Sequence, residues 1–242
     1  MKKSRFFITL VFACVYFCAY LAATAFGLTV LADILSPVGG LLSFGILLNT
    51  YLKSQRPGVL KITWLMYAIA SLFWAMADVQ WAGYDFMPNI EPQDIAALPY
   101  LYSLTNVFMF AAVIIYAVYR FRKWQTIQLF LDVVTISVSS MMMLWILFFD
   151  RRFAFAQLLD KVGRASFFGG IIDFILFVGI VVWFFSVRKG KIPPHLGVSS
   201  LGVLLFVLTD LYYCYISFKG LYVPNSIIDA VFMAALLMIS LA

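Results

Sequence analysis

Apolar residues run almost unbroken through eight stretches of the chain: Phe6 to Phe26, Leu28 to Leu52, Ile62 to Gly83, Leu98 to Tyr119, Ile127 to Phe149, Phe167 to Val187, Leu196 to Phe218 and Ser226 to Ala242. Crossing a hydrocarbon core of roughly 30 Å takes about 20 helical residues, and most of these stretches meet that length. Barrel strands would alternate apolar and polar positions over about 10 residues. These runs are continuous, so the pattern predicts an all-α, polytopic membrane helix bundle of about eight transmembrane helices. The last stretch holds 17 residues, short for a free-standing final helix, which fits a polypeptide that once continued.

Composition agrees with the pattern. The chain of 242 residues is 64% hydrophobic and 12% charged, against roughly 45 to 50% apolar in soluble domains. No stretch is left over for a soluble domain, so residues 1–242 read as one integral membrane domain whose first partner is the lipid bilayer.

The basic residues orient it. Lys2, Lys3, Arg5, Lys53, Arg56, Lys61, Arg120, Arg122, Lys123, Arg188, Lys189 and Lys191 fall in connections on one side, and those connections contain no Asp or Glu. The positive-inside rule makes that side cytoplasmic, so both termini face the cytoplasm, in keeping with a bacterial inner membrane. The net charge of +6 follows from topology and does not call for nucleic acid. One segment on the opposite side, DRRFAFAQLLDKVGRAS, is locally basic. Phe155, Leu158, Leu159 and Val162 share a helical face there, which fits an amphipathic interfacial helix, with an ordinary loop as the alternative. Ala-Thr-Ala at 23 to 25 after a basic start is also the pattern of a secretory signal and its cleavage site. Its removal would change only the N-terminus.

Several chemistries are excluded. His195 is the single histidine, so one chain cannot build a bis-histidine haem or a histidine-based zinc site. Cys14, Cys18 and Cys214 read as small buried apolar residues, with a cysteine metal pair as the weaker option. No lysine lies deep in a span to anchor a retinal. Gly-rich phosphate loops and Gly-x-Gly-Asp protease signatures are missing from the sequence. The expectation is no catalytic constellation, no metal and no cofactor.

Acids carry the information that remains. Asp33, Asp78, Asp132, Asp173, Asp210 and Asp229 lie in or at the ends of spans. Each costs roughly 2.5 to 3.5 kcal/mol at a helix centre, so such residues face protein, water or a ligand. Following each span in its inferred direction puts all but Asp132 toward the outer leaflet, with Asp94 at the outer start of the fourth span. Helix N-termini favour Asp through capping and the dipole, which accounts for Asp33, Asp94, Asp173 and Asp229 without any ligand; Asp132, at the inner interface, reads as a partner of nearby Arg or Lys. Asp78 and Asp210 sit near helix C-termini, where negative charge is disfavoured. A basic side chain, a bound cation or a proton is expected to offset them.

Two hairpins echo one another. Asp78, Trp81, Pro88, Asn89 and Asp94 recur in order as Asp210, Tyr213, Pro224, Asn225 and Asp229. The echo fits two parallel four-helix repeats, 6–119 and 127–242, related by an axis along the membrane normal. Chance similarity in a biased sequence is the alternative. The tyrosines and tryptophans of both hairpins also suit an interfacial aromatic belt.

The second hairpin, with Asp210, Leu211, Tyr213, Tyr222, Asn225, Asp229 and Phe232, resembles the last hairpin of the multi-helix N-terminal membrane domain of bacterial GGDEF, EAL and histidine-kinase proteins. Asn225 stands where that family usually has Gly and Phe232 where it has Trp. Asp132 and Trp145 resemble its Leu-Leu-Asp run ending in Trp, and the likeness extends from about Trp64 to Ala242. What the resemblance implies is a non-enzymatic sensory input module, linked to cyclic-di-GMP or kinase signalling through a cytoplasmic output domain that these residues do not contain. The chain is then a fragment of such a protein or a stand-alone relative. A small-ligand site at Asp78, Trp81, Asp94, Asp173, Asp210, Tyr213 and Asp229, and a homodimer, complete that expectation. A transporter of a small cation or amphipathic solute is the second reading, and an intramembrane enzyme using the aspartates the third.

Overall fold

The computed structural model describes residues 3–54, 58–87, 97–120, 123–148, 171–180, 194–218 and 221–241. Eight helical segments occur among them: α1 (Lys3–Ala25), α2 (Thr29–Lys53), α3 (Gly58–Asp85), α4 (Ala97–Arg120), α5 (Lys123–Phe148), α6 (Ile171–Ile180), α7 (Pro194–Phe218) and α8 (Ile227–Leu241). Each corresponds to one apolar run of the sequence. Helices α1 to α4 and α7 are long and apolar enough to cross a membrane. The molecule is an all-α bundle of multi-pass membrane character. Helix α3 starts at Gly58 and α5 at Lys123, four residues before their apolar runs.

Lipid tails are as apolar as leucine, so helices in a bilayer associate through close packing rather than through the hydrophobic effect. The sequence supplies that packing with small residues. Ala68, Ser71, Ala75 and Ala82 form a buried stripe on α3 at three-, four- and seven-residue spacing. A Cβ at Gly40 of α2 would stand 2.9 Å from the Ala75 Cβ and 3.1 Å from its Cα, so the two backbones approach closely only because position 40 carries none. Gly202 of α7 does the same for α8, where a Cβ would meet the Ala235 carbonyl at 3.0 Å. Gly27 makes the tight α1–α2 turn at φ 67.

Helix α8 has the most enclosed position. It packs against α7, α1 and α2 and touches α3, burying Ala230, Phe232, Met233, Ala235, Leu236, Leu237, Ile239 and Ser240. Its 15 residues rise about 22 Å at 1.5 Å each. By contrast α5 touches α4 only lightly, and Asp132 lies exposed upon it. Cys14 and Cys18 depart from the expected burial. They lie exposed on α1, off the face that carries Ala13, Tyr16, Tyr20 and Ala23 inward, while Cys214 is half-buried.

Trp74 marks the centre. Its ring stands edge-on to Tyr102 at 4.9 Å and to Phe206 at 5.2 Å, and tilted against Phe232 at 5.0 Å. Four helices, α3, α4, α7 and α8, therefore meet on one indole, and aromatic pairs of this kind contribute about 0.5 to 1.5 kcal/mol beyond area burial. This aromatic layer is the floor of the polar region described next.

Candidate functional site: two acid clusters bridged by α4

Contacts among Tyr20, Ser36, Asp33, Asp78, Tyr102, Asn106, Asp210 and Asn225 bring the end of α1, the start of α2, the end of α3, the start of α4, the end of α7 and the start of α8 to one end of the bundle. Polar side chains collect there. Asp78, buried on α3, accepts hydrogen bonds from Ser36 Oγ of α2 at 2.5 Å and from Tyr102 OH of α4 at 2.8 Å. Both donors are neutral, so the basic partner expected for a carboxylate near a helix C-terminus does not face it among the described residues. Tyr20 of α1, 1% exposed, sets its hydroxyl against Ser36 and within electrostatic reach of Asp229 and Asp78.

Asp33 is the second acid of this cluster. Helix α2 begins at Thr29 with no side-chain cap, so Asp33 lies past the positions where a carboxylate caps. It is buried and instead accepts from Asn225 Nδ2 at 2.9 Å, beside Asp85 at the end of α3. Its Oδ2 has no partner. Asn225 has φ 58, a left-handed conformation that Gly and Asn adopt most readily. The same backbone turn aims its amide at α2.

Asp229 performs the capping expected of it. Its Oδ2 accepts from the Ser226 backbone N–H at 2.8 Å, the reciprocal half of a capping box at the start of α8. The other oxygen accepts from Tyr222 OH at 3.0 Å. Burial, reinforced by the Asp229 carboxylate, pushes the Tyr222 phenol well above its ordinary value. That donor therefore stays protonated through neutral pH. The Tyr222 ring stands edge-on to Tyr213 at 4.8 Å and to Trp81 at 6.4 Å.

A second cluster lies deeper. Asp210 of α7 accepts from Asn106 Nδ2 of α4 at 2.8 Å and faces Asp173 of α6, with Cys214 one turn further along α7. Candidate ligand atoms of Asp173, Asp210 and Cys214 all lie within 4.8 Å of one another. Tyr102 and Asn106 are four residues apart on α4, about 6 Å of rise. One helix thus addresses Asp78 and Asp210 in turn, from the same face.

The structure distributes the expected site residues unevenly. Asp78, Trp81, Tyr213 and Asp229 belong to the first cluster or its aromatic edge, Asp173 and Asp210 to the second, and Tyr213 stands between the two. Asp94, Pro88, Asn89 and the Asp150 to Arg164 segment lie outside the described residues. Ser36, Tyr20, Tyr102 and Asn106 were missed by the acid-centred reading. Tyr102 and Asn106 did carry a signal, since they place two strong hydrogen-bonding groups at i, i+4 spacing within an apolar span.

Chemically, the first cluster gathers Asp33, Asp78, Asp85 and Asp229 around neutral hydroxyl and amide donors, with aromatic faces beside them. Carboxylates so placed repel one another in a low-dielectric interior, and a cation or a hydrogen-bond donor inserted among them relieves that repulsion. No protein-family model, curated protein or solved structure matches this chain.

Proposed function

We propose that the chain is a sensory or signal-transmitting input module of a bacterial cytoplasmic membrane, with both termini cytoplasmic and the acid–tyrosine cluster facing outward to take a small ligand. Occupancy of the cluster is read by α8, which carries the signal toward the cytoplasmic side and an output domain of the cyclase, phosphodiesterase or kinase type; a homodimer fits such a relay. The observation that carries this reading is the attachment of α8. Its first turn is held by Asp229, Tyr222 and the Asn225 to Asp33 bond, and its length packs on α1, α2 and α7. A ligand that takes over the hydrogen bonds of Asp33 or Asp78 frees the start of α8 to shift as a unit.

Spin labels at Leu52 and Leu241 test it, in a variant with all three native cysteines replaced and the chain held in nanodiscs. Asp78→Asn and Asn225→Ala are expected to move or broaden the label-to-label distance, and small cations and amines that bind through Asp78 are expected to move it too. Unchanged distances in both variants would remove the relay. The transporter reading rests on the same gathered acids and makes the opposite demand. It requires solute flux into proteoliposomes that Asp78→Asn or Asp210→Asn abolishes.

A further inference from the structure

The deeper cluster has a composition that neither sensing nor transport requires. Asp173 is 1% exposed and Asn106 is 2% exposed, yet Oδ1 of each has no hydrogen-bond partner. Both side chains face the Asp210 carboxylate. A buried carboxylate oxygen without a partner is costly, because the group has lost its water without replacement. Evolution usually fills such a position or covers it with a ligand. Here three potential anionic donors, two carboxylates and a thiol, converge within 4.8 Å, and the amide oxygen of Asn106 is spare beside them.

We propose that Asp173, Asp210 and Cys214 bind a divalent transition cation of the zinc class, with the Asn106 side-chain oxygen as the fourth donor after its amide turns over. The donor set selects the metal. A thiolate disfavours magnesium and calcium, which take oxygen ligands, whereas a mixed sulfur and carboxylate site suits zinc and its neighbours. In a tetrahedral site with metal–oxygen distances of about 2.0 Å and metal–sulfur distances of about 2.3 Å, donors stand about 3.3 to 3.6 Å apart. Side-chain rotations on the order of 1 Å close the present cluster to that geometry. Asp210 and Cys214 lie at i, i+4 on one face of α7, Asp173 comes from α6 and Asn106 from α4, so binding ties three helices together. Binding displaces the Cys214 proton and makes affinity rise with pH. The site stands whether the chain senses or transports.

The test uses the full chain in nanodiscs with Cys14 and Cys18 replaced by serine, so that Cys214 is the only thiol. Titration with Co2+ is expected to saturate at one equivalent with a thiolate-to-cobalt charge-transfer band, and Zn2+ is expected to displace it. Cys214→Ser removes the band, and Asp173→Asn and Asp210→Asn each weaken binding at least tenfold while size-exclusion behaviour and helicity hold. A second readout needs no substitution among the ligands. Zn2+ protects Cys214 from a thiol-modifying reagent at concentrations at which Mg2+ does not. Absence of a cobalt–sulfur band in the folded parent chain, equal protection by Mg2+, or stoichiometric binding unchanged in folded Asp173→Asn and Asp210→Asn variants overturns the proposal.

Discussion

Asn225 donates its side-chain amide to Asp33 at 2.9 Å across 192 positions of sequence, joining the loop before the last helix to the first turns of the second. Two properties of asparagine are used at once, the left-handed backbone at φ 58 and the amide donor. They can be separated. Asn225→Gly keeps the backbone and loses the donor, whereas Asn225→Ala loses both. The left-handed penalty for a residue with a Cβ is about 1 to 2 kcal/mol, so Ala is expected to destabilise the folded chain by about that much more than Gly does, measured by denaturant unfolding in micelles. Equal losses for the two would mean that the loop relaxes and the backbone requirement is not real.

Capping of α8 gives a second expectation. Asp229 holds the Ser226 N–H and the Tyr222 hydroxyl, so Asp229→Ala should cost about 1 to 2 kcal/mol and speed hydrogen exchange at the first turn of α8. Tyr222→Phe removes the phenol bond and leaves the box, and should leave those amides protected. If Tyr222→Phe frays the turn as much as Asp229→Ala, then the phenol rather than the capping box fixes the start of α8.

Two of the three glycines of α2, Gly40 and Gly45, make a matched pair. A Cβ at Gly40 meets Ala75 at 2.9 Å, and one at Gly45 meets nothing within 4 Å. Gly40→Ala is expected to force α2 from α3 and cost about 1 to 3 kcal/mol, while Gly45→Ala gains about 0.5 to 1 kcal/mol from the lower chain entropy of Ala. Opposite signs in parallel unfolding experiments support the close approach. A neutral Gly40→Ala contradicts it.

The helices and the acids were legible in the sequence because both are one-dimensional signals: an apolar run of spanning length, and a charge inside it. Partners were not. A bundle helix that is apolar nearly all round has no polar face to show which side meets its neighbours, so nothing in the α4 run announced that Tyr102 and Asn106 face inward together. Asp33 illustrates the same limit. Its position near a helix start read as a cap, and only the fold shows that the α2 start lies one turn earlier and that the carboxylate answers to Asn225. Asp229, by contrast, was readable, since its Ser-x-x-Asp spacing is local and does not depend on which helices pack together. The echo between hairpins matched Asp78 with Asp210, but the tie between them runs through Tyr102 and Asn106, which lie beyond the matched residues.

Asp78 offers the sharpest test of how that tie works. Its two oxygens take one donor each, Ser36 on one side and Tyr102 on the other, so the helices α2, α3 and α4 are joined through a single carboxyl. Each bond removed alone, by Ser36→Ala or Tyr102→Phe, should cost about 0.6 to 2 kcal/mol, the range for side-chain bonds between membrane helices. Removing both should cost more than the sum, because the carboxyl is then buried with only the Trp74 indole N–H left to face it. Replacing the acid reverses the order. In the Ser36→Ala, Tyr102→Phe background, Asp78→Leu should recover much of the loss, since deleting every partner of a polar network is close to neutral where deleting some is not; in the otherwise native chain the same Asp78→Leu strands the Ser36 and Tyr102 hydroxyls and should destabilise. A thermodynamic cycle over these variants, read by unfolding in micelles, therefore changes sign at Asp78→Leu if the three side chains act as one unit. Additive losses throughout would show three independent contacts, and the acid would then have to be explained by what binds it rather than by what it holds.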